Sequence, residues 1–142
     1  MSTFEKRALL MLCSLVPPYL LYFGFVAAFP QLQLTMLQKL GAMAVAAGLH
    51  AIGYLSGLAV FKLRNPGDAL GEVDERDRAI DGHATRIAYF VLLTGTILVG
   101  VVLPFERGGW AIVQPALLVI VLAETTRHAM ILRGYRRAGH AH

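Results

Sequence analysis

The sequence predicts an all-α integral membrane protein, a four-helix bundle of two transmembrane hairpins with both termini cytoplasmic. Three observations lead there. The 142 residues are 56% hydrophobic and 15% charged, with a mean hydropathy of +0.59. Soluble domains carry about 25% charge, and a globule of this length could not bury so much apolar surface. The apolar residues fall into four runs of about 20, the length that crosses a hydrocarbon core. Lys and Arg are divided unevenly between alternate connections. The length suits one domain, read as a single four-span unit over residues 1–142.

The first run, Ala8–Phe29, follows Lys6 and Arg7. Val26-Ala27-Ala28 has the small residues of a cleavage site. The run exceeds the roughly 7–15 residues of a signal core, so an uncleaved span is expected. Pro17 and Pro18 lie inside it and lack an N–H. The carbonyls of Cys13 and Ser14 therefore lose their helical donors. Cys13 is the only cysteine. It rules out an intrachain disulfide and reads as a small packing residue.

The second run, Leu40–Phe61, carries Ala42, Ala46, Gly53 and Gly57 on the face of His50. Gly53 and Gly57 form a GxxxG pair, which lets another helix approach closely. His50 is therefore expected to face protein. Residues 62–83 form a cytoplasmic connection that leads helically into the third run, Ile87–Phe105. The Pro104–Gly109 turn and Trp110 suit the opposite interface. The fourth run, Trp110–Leu132, is charge-free to Ala123 and then carries Glu124, Arg127 and His128.

Orientation follows from the basic residues. Lys6, Arg7, Lys62, Arg64, Arg76, Arg78, Arg86, Arg127, Arg133, Arg136 and Arg137 fall on one side of the four spans. Only Lys39 and Arg107 fall on the other. The positive-inside rule makes the richer side cytoplasmic, in the inner (plasma) membrane. Asymmetry this strong argues against a dual-topology antiparallel dimer.

Charge is concentrated where the third span begins, in EVDERDRAIDGHATRIAYFVLL (Glu72–Leu93). Asp74 can cap a helix, and Asp77 lies near the first-turn amides. Asp74 and Arg78 are four residues apart, as are Asp77 and Asp81. These acids could hold a divalent cation or recruit a basic partner; an ion-paired, solvated helix end is the plainer reading. Asp74, Glu75, Asp77 and Arg78 are the candidate partner-facing residues. In the fourth span Glu124 is deep enough that an unpaired carboxylate is costly. Arg86, Glu124 and Arg127 are therefore expected to form one interhelical charge cluster, with Asp81 or Asp77 balancing the second arginine. A proton or ion site at Glu124 is the functional alternative to that clamp.

His50, Tyr19, Pro17 and Pro18 form a polar midplane layer that can extend to Thr94. A hydrogen-bonded packing histidine is the plain reading of His50, and a proton relay or ligand site the functional one. Haem is a third option, since bis-histidine ligation needs two histidines at matched depth. His50 has no partner at its depth. His83 and His128 share a depth and could pair. His140 and His142 lie in the tail and point to nothing specific. There is no Walker loop, HExxH, GxSxG or CxxC constellation, so no cofactor, metal site or enzymatic activity is expected.

The segment DERDRAIDGHATRIAYFVLL is similar to one in uncharacterised small prokaryotic membrane proteins of domain-of-unknown-function families. There a D-E-R-[DE]-x-x-I-x-x-x-A-x-R pattern leads straight into a span. Asp74, Glu75, Arg76, Asp77, Ile80, Ala84 and Arg86 match it. The resemblance covers about twenty residues and implies a multi-spanning membrane protein without implying a chemistry. The expected function is a non-enzymatic membrane protein acting through the charged 72–86 segment. It would serve as an accessory subunit, or as a membrane anchor or regulator of a cytosolic protein. Its partners would be the lipid bilayer and a protein or a second copy, not nucleic acid. The alternative is a small oligomeric transporter or ion-coupled carrier using His50 and Glu124, and a b-type haem protein is the minor one.

Overall fold

The structure, a computed structural model, describes residues 3–64, 74–106 and 109–139, with backbone only at 106, 109, 110, 138 and 139. Residues 65–73 of the long connection, Arg107, the Trp110 side chain, His140 and His142 lie outside that set. The chain is an all-α membrane protein. Four of its helical stretches are long and apolar enough to cross a membrane, and no strand occurs among the described residues.

The helices are α1 (Thr3–Ala28), α2 (Met36–Arg64), α3 (Glu75–Ile97), the short α4 (Leu103–Glu106) and α5 (Val113–Gly139). They outrun the apolar segments because nothing in the polar flanks stops them. α3 starts well before Ile87 and α5 ends beyond Leu132. α2 begins with a reciprocal cap the sequence reading missed. Thr35 N–H donates to Gln38 Oε1 at 2.9 Å, and Gln38 N–H to Thr35 Oγ1 at 3.4 Å, the T-x-x-Q form of a capping box. α3 ends differently. Pro104 cannot donate back to Gly100. The helix gives way there to a π turn, Leu98–Val102, whose following N–H, on Leu103, reaches the Leu98 carbonyl. A 3-10 turn, Gly109–Ile112, then leads into α5.

Contacts divide the chain into two compact units, Met1–Ala8 with Glu72–His142, and Leu9–Gly71. In the first, α3 packs along α5. A Cβ on Gly95 would lie 2.4 Å from Val119 Cγ1, and one on Gly134 would lie 2.8 Å from Ile80 Cγ2. Both pairs give the same antiparallel register. Ala84, Ile131 and Tyr135 are buried between them with Ala8 of α1, and Phe4, Ile80, Met130 and Leu132 pack around this cluster. In the second unit α2 lies antiparallel to α1. Gly53 would place a Cβ 3.5 Å from Ser14 Cβ, and Gly57 one 2.3 Å from Leu10 Cδ1. The GxxxG pair thus receives α1. Ala46 is buried, whereas Cys13, read as a packing residue, is exposed.

The pattern of burial inverts that of a soluble domain. Alanines make up half of the buried set, and among the described residues no large side chain is fully buried. Leu37 and Leu63 are 80% exposed and Phe105 89%. With lipid as solvent there is no gain in hiding leucine, and small residues instead let backbones approach.

Candidate functional site

The charged start of α3 is built from its cap inward. Asp74 has extended backbone angles and accepts from Glu75 N–H at 2.7 Å. Its carbonyl takes Arg78 N–H at 3.0 Å, closing the first turn. Asp74, Glu75 and Arg78 are exposed, while Asp77 and Asp81 are half-buried on the side facing α5. Helical spacing explains the division: Asp77, Asp81 and the fully buried Ala84 follow one stripe.

That stripe meets α5 in two polar contacts. The Tyr135 hydroxyl donates a short hydrogen bond to Asp77 Oδ1. Arg127 places one terminal nitrogen 3.0 Å from Asp81 Oδ1 and 3.3 Å from Oδ2. Tyr135 is the centre of the layer. Its ring lies 6.4 Å from that of Phe4 and 5.8 Å below the Arg76 guanidinium carbon. Sequence reasoning missed Tyr135 and Phe4. The available signal was the i+4 stripe Arg127–Ile131–Tyr135, which marks one packing face of α5.

The expected clamp forms only in part. Asp81 takes Arg127, and neither Arg86 nor Glu124 joins the pair. By the α3–α5 register Arg86 lies level with His128, but it is exposed. Two residues beyond Ala84, it points about 200° round the helix from the buried face. Glu124 turns instead to its own helix. His128 Nδ1 is 2.8 Å from the Glu124 carbonyl and 3.6 Å from its carboxylate. The imidazole N–H therefore donates to the backbone. The Glu124 side chain remains 43% exposed, with no arginine beside it among the described residues. Arg127 Nε is buried without a hydrogen-bond partner, so only part of its fork is used.

The pairing of Asp77 and Asp81 with α5 takes both acids away from the cation site considered for them. Among the described residues no group of three His, Cys, Asp or Glu could hold a metal. His83 is exposed, while His128 is turned onto its own helix.

The second unit holds His50, Tyr19, Pro17 and Pro18, the residues expected at the midplane. The register set by Gly53 on Ser14 and Gly57 on Leu10 brings His50 level with Pro17. The His50 and Tyr19 rings lie 6.1 Å apart, tilted at 57°. His50 Nδ1 is buried and has no hydrogen-bond partner among the described residues. Ser14 Oγ donates to the Met11 carbonyl at 3.0 Å, so it does not reach the histidine. Comparison with family models, curated proteins and solved structures finds no match to this chain.

Proposed function

We propose that the protein is a non-enzymatic inner-membrane protein that acts through a partner, as an accessory subunit or a membrane anchor or regulator of a cytosolic protein. Both termini and the long connection are cytoplasmic in this reading, by the distribution of Lys and Arg. One observation carries it. The first turns of α3 present Asp74, Glu75 and Arg78 to solvent, while Tyr135 and Arg127 hold the opposite side of the same turns through Asp77 and Asp81. A charged surface braced from behind loses little conformational freedom on binding, which favours recognition. The segment that resembles uncharacterised prokaryotic membrane proteins is this same surface, and the proposal assigns it the same role in them. Asp77 leaves the contact surface and joins its support.

The test is affinity purification in mild detergent, comparing the wild type with Asp74→Lys, Glu75→Lys and Arg78→Glu combined. A protein should co-purify and be lost in the variant. A chain that elutes alone, with no cellular effect of the reversals, contradicts the reading.

The unpartnered His50 beside Tyr19, level with Pro17, favours a second reading. It is a small oligomeric carrier in which His50 binds a proton or cation at a helix break. Glu124, half exposed on α5, would be its inner site. Flux in liposomes that disappears in His50→Ala would support this reading, and absence of flux over ions and cationic amphiphiles would remove it.

A further inference from the structure

α5 does not stop where its apolar run stops. The run ends at Leu132, and the helix continues to Gly139. These last turns have two faces. Ile131 and Tyr135 are buried, and Gly134 lies against Ile80. Arg133, Arg136 and Arg137, at i, i+3 and i+4, are exposed on the other side. Of the acids at the start of the neighbouring helix, Glu75 is exposed and the other three are engaged elsewhere. Asp77 accepts from Tyr135, Asp81 pairs with Arg127, and Asp74 caps α3. Among the described residues Arg133, Arg136 and Arg137 form no ion pair. The tyrosine contacts and the Gly134–Ile80 approach fix the rotation of α5 about its own axis. Three guanidiniums are therefore held within about one turn of each other.

The exposed stripe continues along the helix. Leu118, Leu122 and Ala129 precede Arg133 at spacings of four, seven and four residues, and Leu118 and Leu122 are exposed. Between Leu122 and Ala129 the hydroxyls of Thr125 and Thr126 turn back onto carbonyls of their own helix, and a track of this kind ending in a cluster of cations has the layout of a phospholipid, acyl chain first and phosphate last.

We propose that the arginine face of α5 binds the phosphate of an anionic phospholipid headgroup, with an acyl chain along Leu118, Leu122 and Ala129. A phosphodiester shares one negative charge between two non-bridging oxygens, which planar guanidinium forks take in pairs, and in an anionic lipid no choline cation cancels that charge. An acidic protein would meet the same cations, but the apolar track and the position within a turn of Leu132 favour lipid. Each arginine at a membrane surface gives about a fivefold preference for anionic lipid, so three give roughly a hundredfold. This face is separate from the exposed charges of α3, so the site stands or falls independently of the protein-partner reading.

The experiment is native mass spectrometry of the full chain in an uncharged detergent, titrated separately with dioleoyl-phosphatidylglycerol, dioleoyl-phosphatidylcholine and inorganic phosphate. Phosphatidylglycerol should be retained well over phosphatidylcholine, and phosphate should not displace it. Arg133→Gln, Arg136→Gln and Arg137→Gln together should abolish the preference with the helical melting curve intact. If the triple variant fails to fold, Arg133→Gln and Arg137→Gln decide singly, each costing about fivefold. The triple lysine variant should keep part of the preference, since charge remains without the fork. Equal retention of the two lipids, displacement by phosphate, or an unchanged preference in the glutamine variants overturns the proposal. So does an acidic protein that leaves the triple glutamine variant while lipid preference stays the same.

Discussion

The two helix pairs solve the same problem by different means. Both bring two helices together where lipid offers no hydrophobic drive for association. In the α1–α2 unit the contact is made by glycine. Gly53 and Gly57 let α1 settle onto α2, and His50 beside that seam has a buried nitrogen without a hydrogen-bond partner. In the α3–α5 unit glycine again sets the approach, at Gly95 and Gly134. There the polar groups are gathered at the charged end and bonded across the seam, Tyr135 to Asp77 and Arg127 to Asp81. The lesson concerns depth. Asp77 and Asp81, near a helix end, bond across the seam and brace it, whereas His50 at mid-helix makes no such bond.

The sharpest way to break this comparison is to add a methyl group in each seam. Gly95→Ala would press on the branched, stiff Val119, with both Cγ atoms under 3.0 Å and Cβ at 3.1 Å. It should cost about 1–3 kcal/mol, read as a lower melting temperature in detergent. Gly53→Ala meets Ser14 at an ordinary 3.5 Å. Alanine is favoured over glycine in helices by about 1 kcal/mol, so this variant should be neutral or slightly stabilising. Equal losses at both positions would contradict the closer approach at Gly95 than at Gly53.

The bracing comes next. Tyr135→Phe keeps the ring against Phe4 and Arg76 but removes the donor to Asp77. A hydrogen bond to a charged group contributes about 1.5–3 kcal/mol, and the half-exposed carboxylate should bring the loss to the lower end. An unchanged melting temperature would remove Tyr135 from the centre of the layer. Arg127→Gln should cost less, about 1 kcal/mol, because the Arg127 and Asp81 side chains are 36% and 32% exposed. Adding Asp81→Asn should recover part of it, since the leftover charge is then removed.

Glu124→Gln and Arg86→Gln should each leave stability, followed through the melting temperature in detergent, within about 0.5 kcal/mol of wild type, as surface substitutions do. A large loss in Glu124→Gln would restore the four-residue clamp.

These last predictions mark where the sequence stopped being legible. The four spans could be read because hydropathy and length are properties of single segments. The cap at Asp74 and the helical run into the third span were legible for the same reason, being local. Depth was legible too, and it placed Arg86, Glu124 and Arg127 near one level. Azimuth was not. Which face of α3 meets α5 depends on packing, and only the buried stripe Asp77–Asp81–Ala84 reveals that Arg86 points away. The same gap hid Tyr135, whose role depends on a helix far away in sequence. The Thr35–Gln38 box is local, and its T-x-x-Q spacing ahead of the second apolar run is readable in the sequence.

The central claim is that the start of α3 is a braced contact surface. It is tested most directly by purifying the wild type and the Asp74→Lys, Glu75→Lys, Arg78→Glu variant side by side in mild detergent, and comparing the proteins retained at matched yield and melting temperature. The account predicts a discrete companion with the wild type that is lost from the variant, with the membrane helices intact. Identical retained proteins, or a wild type that elutes with no companion, would contradict it.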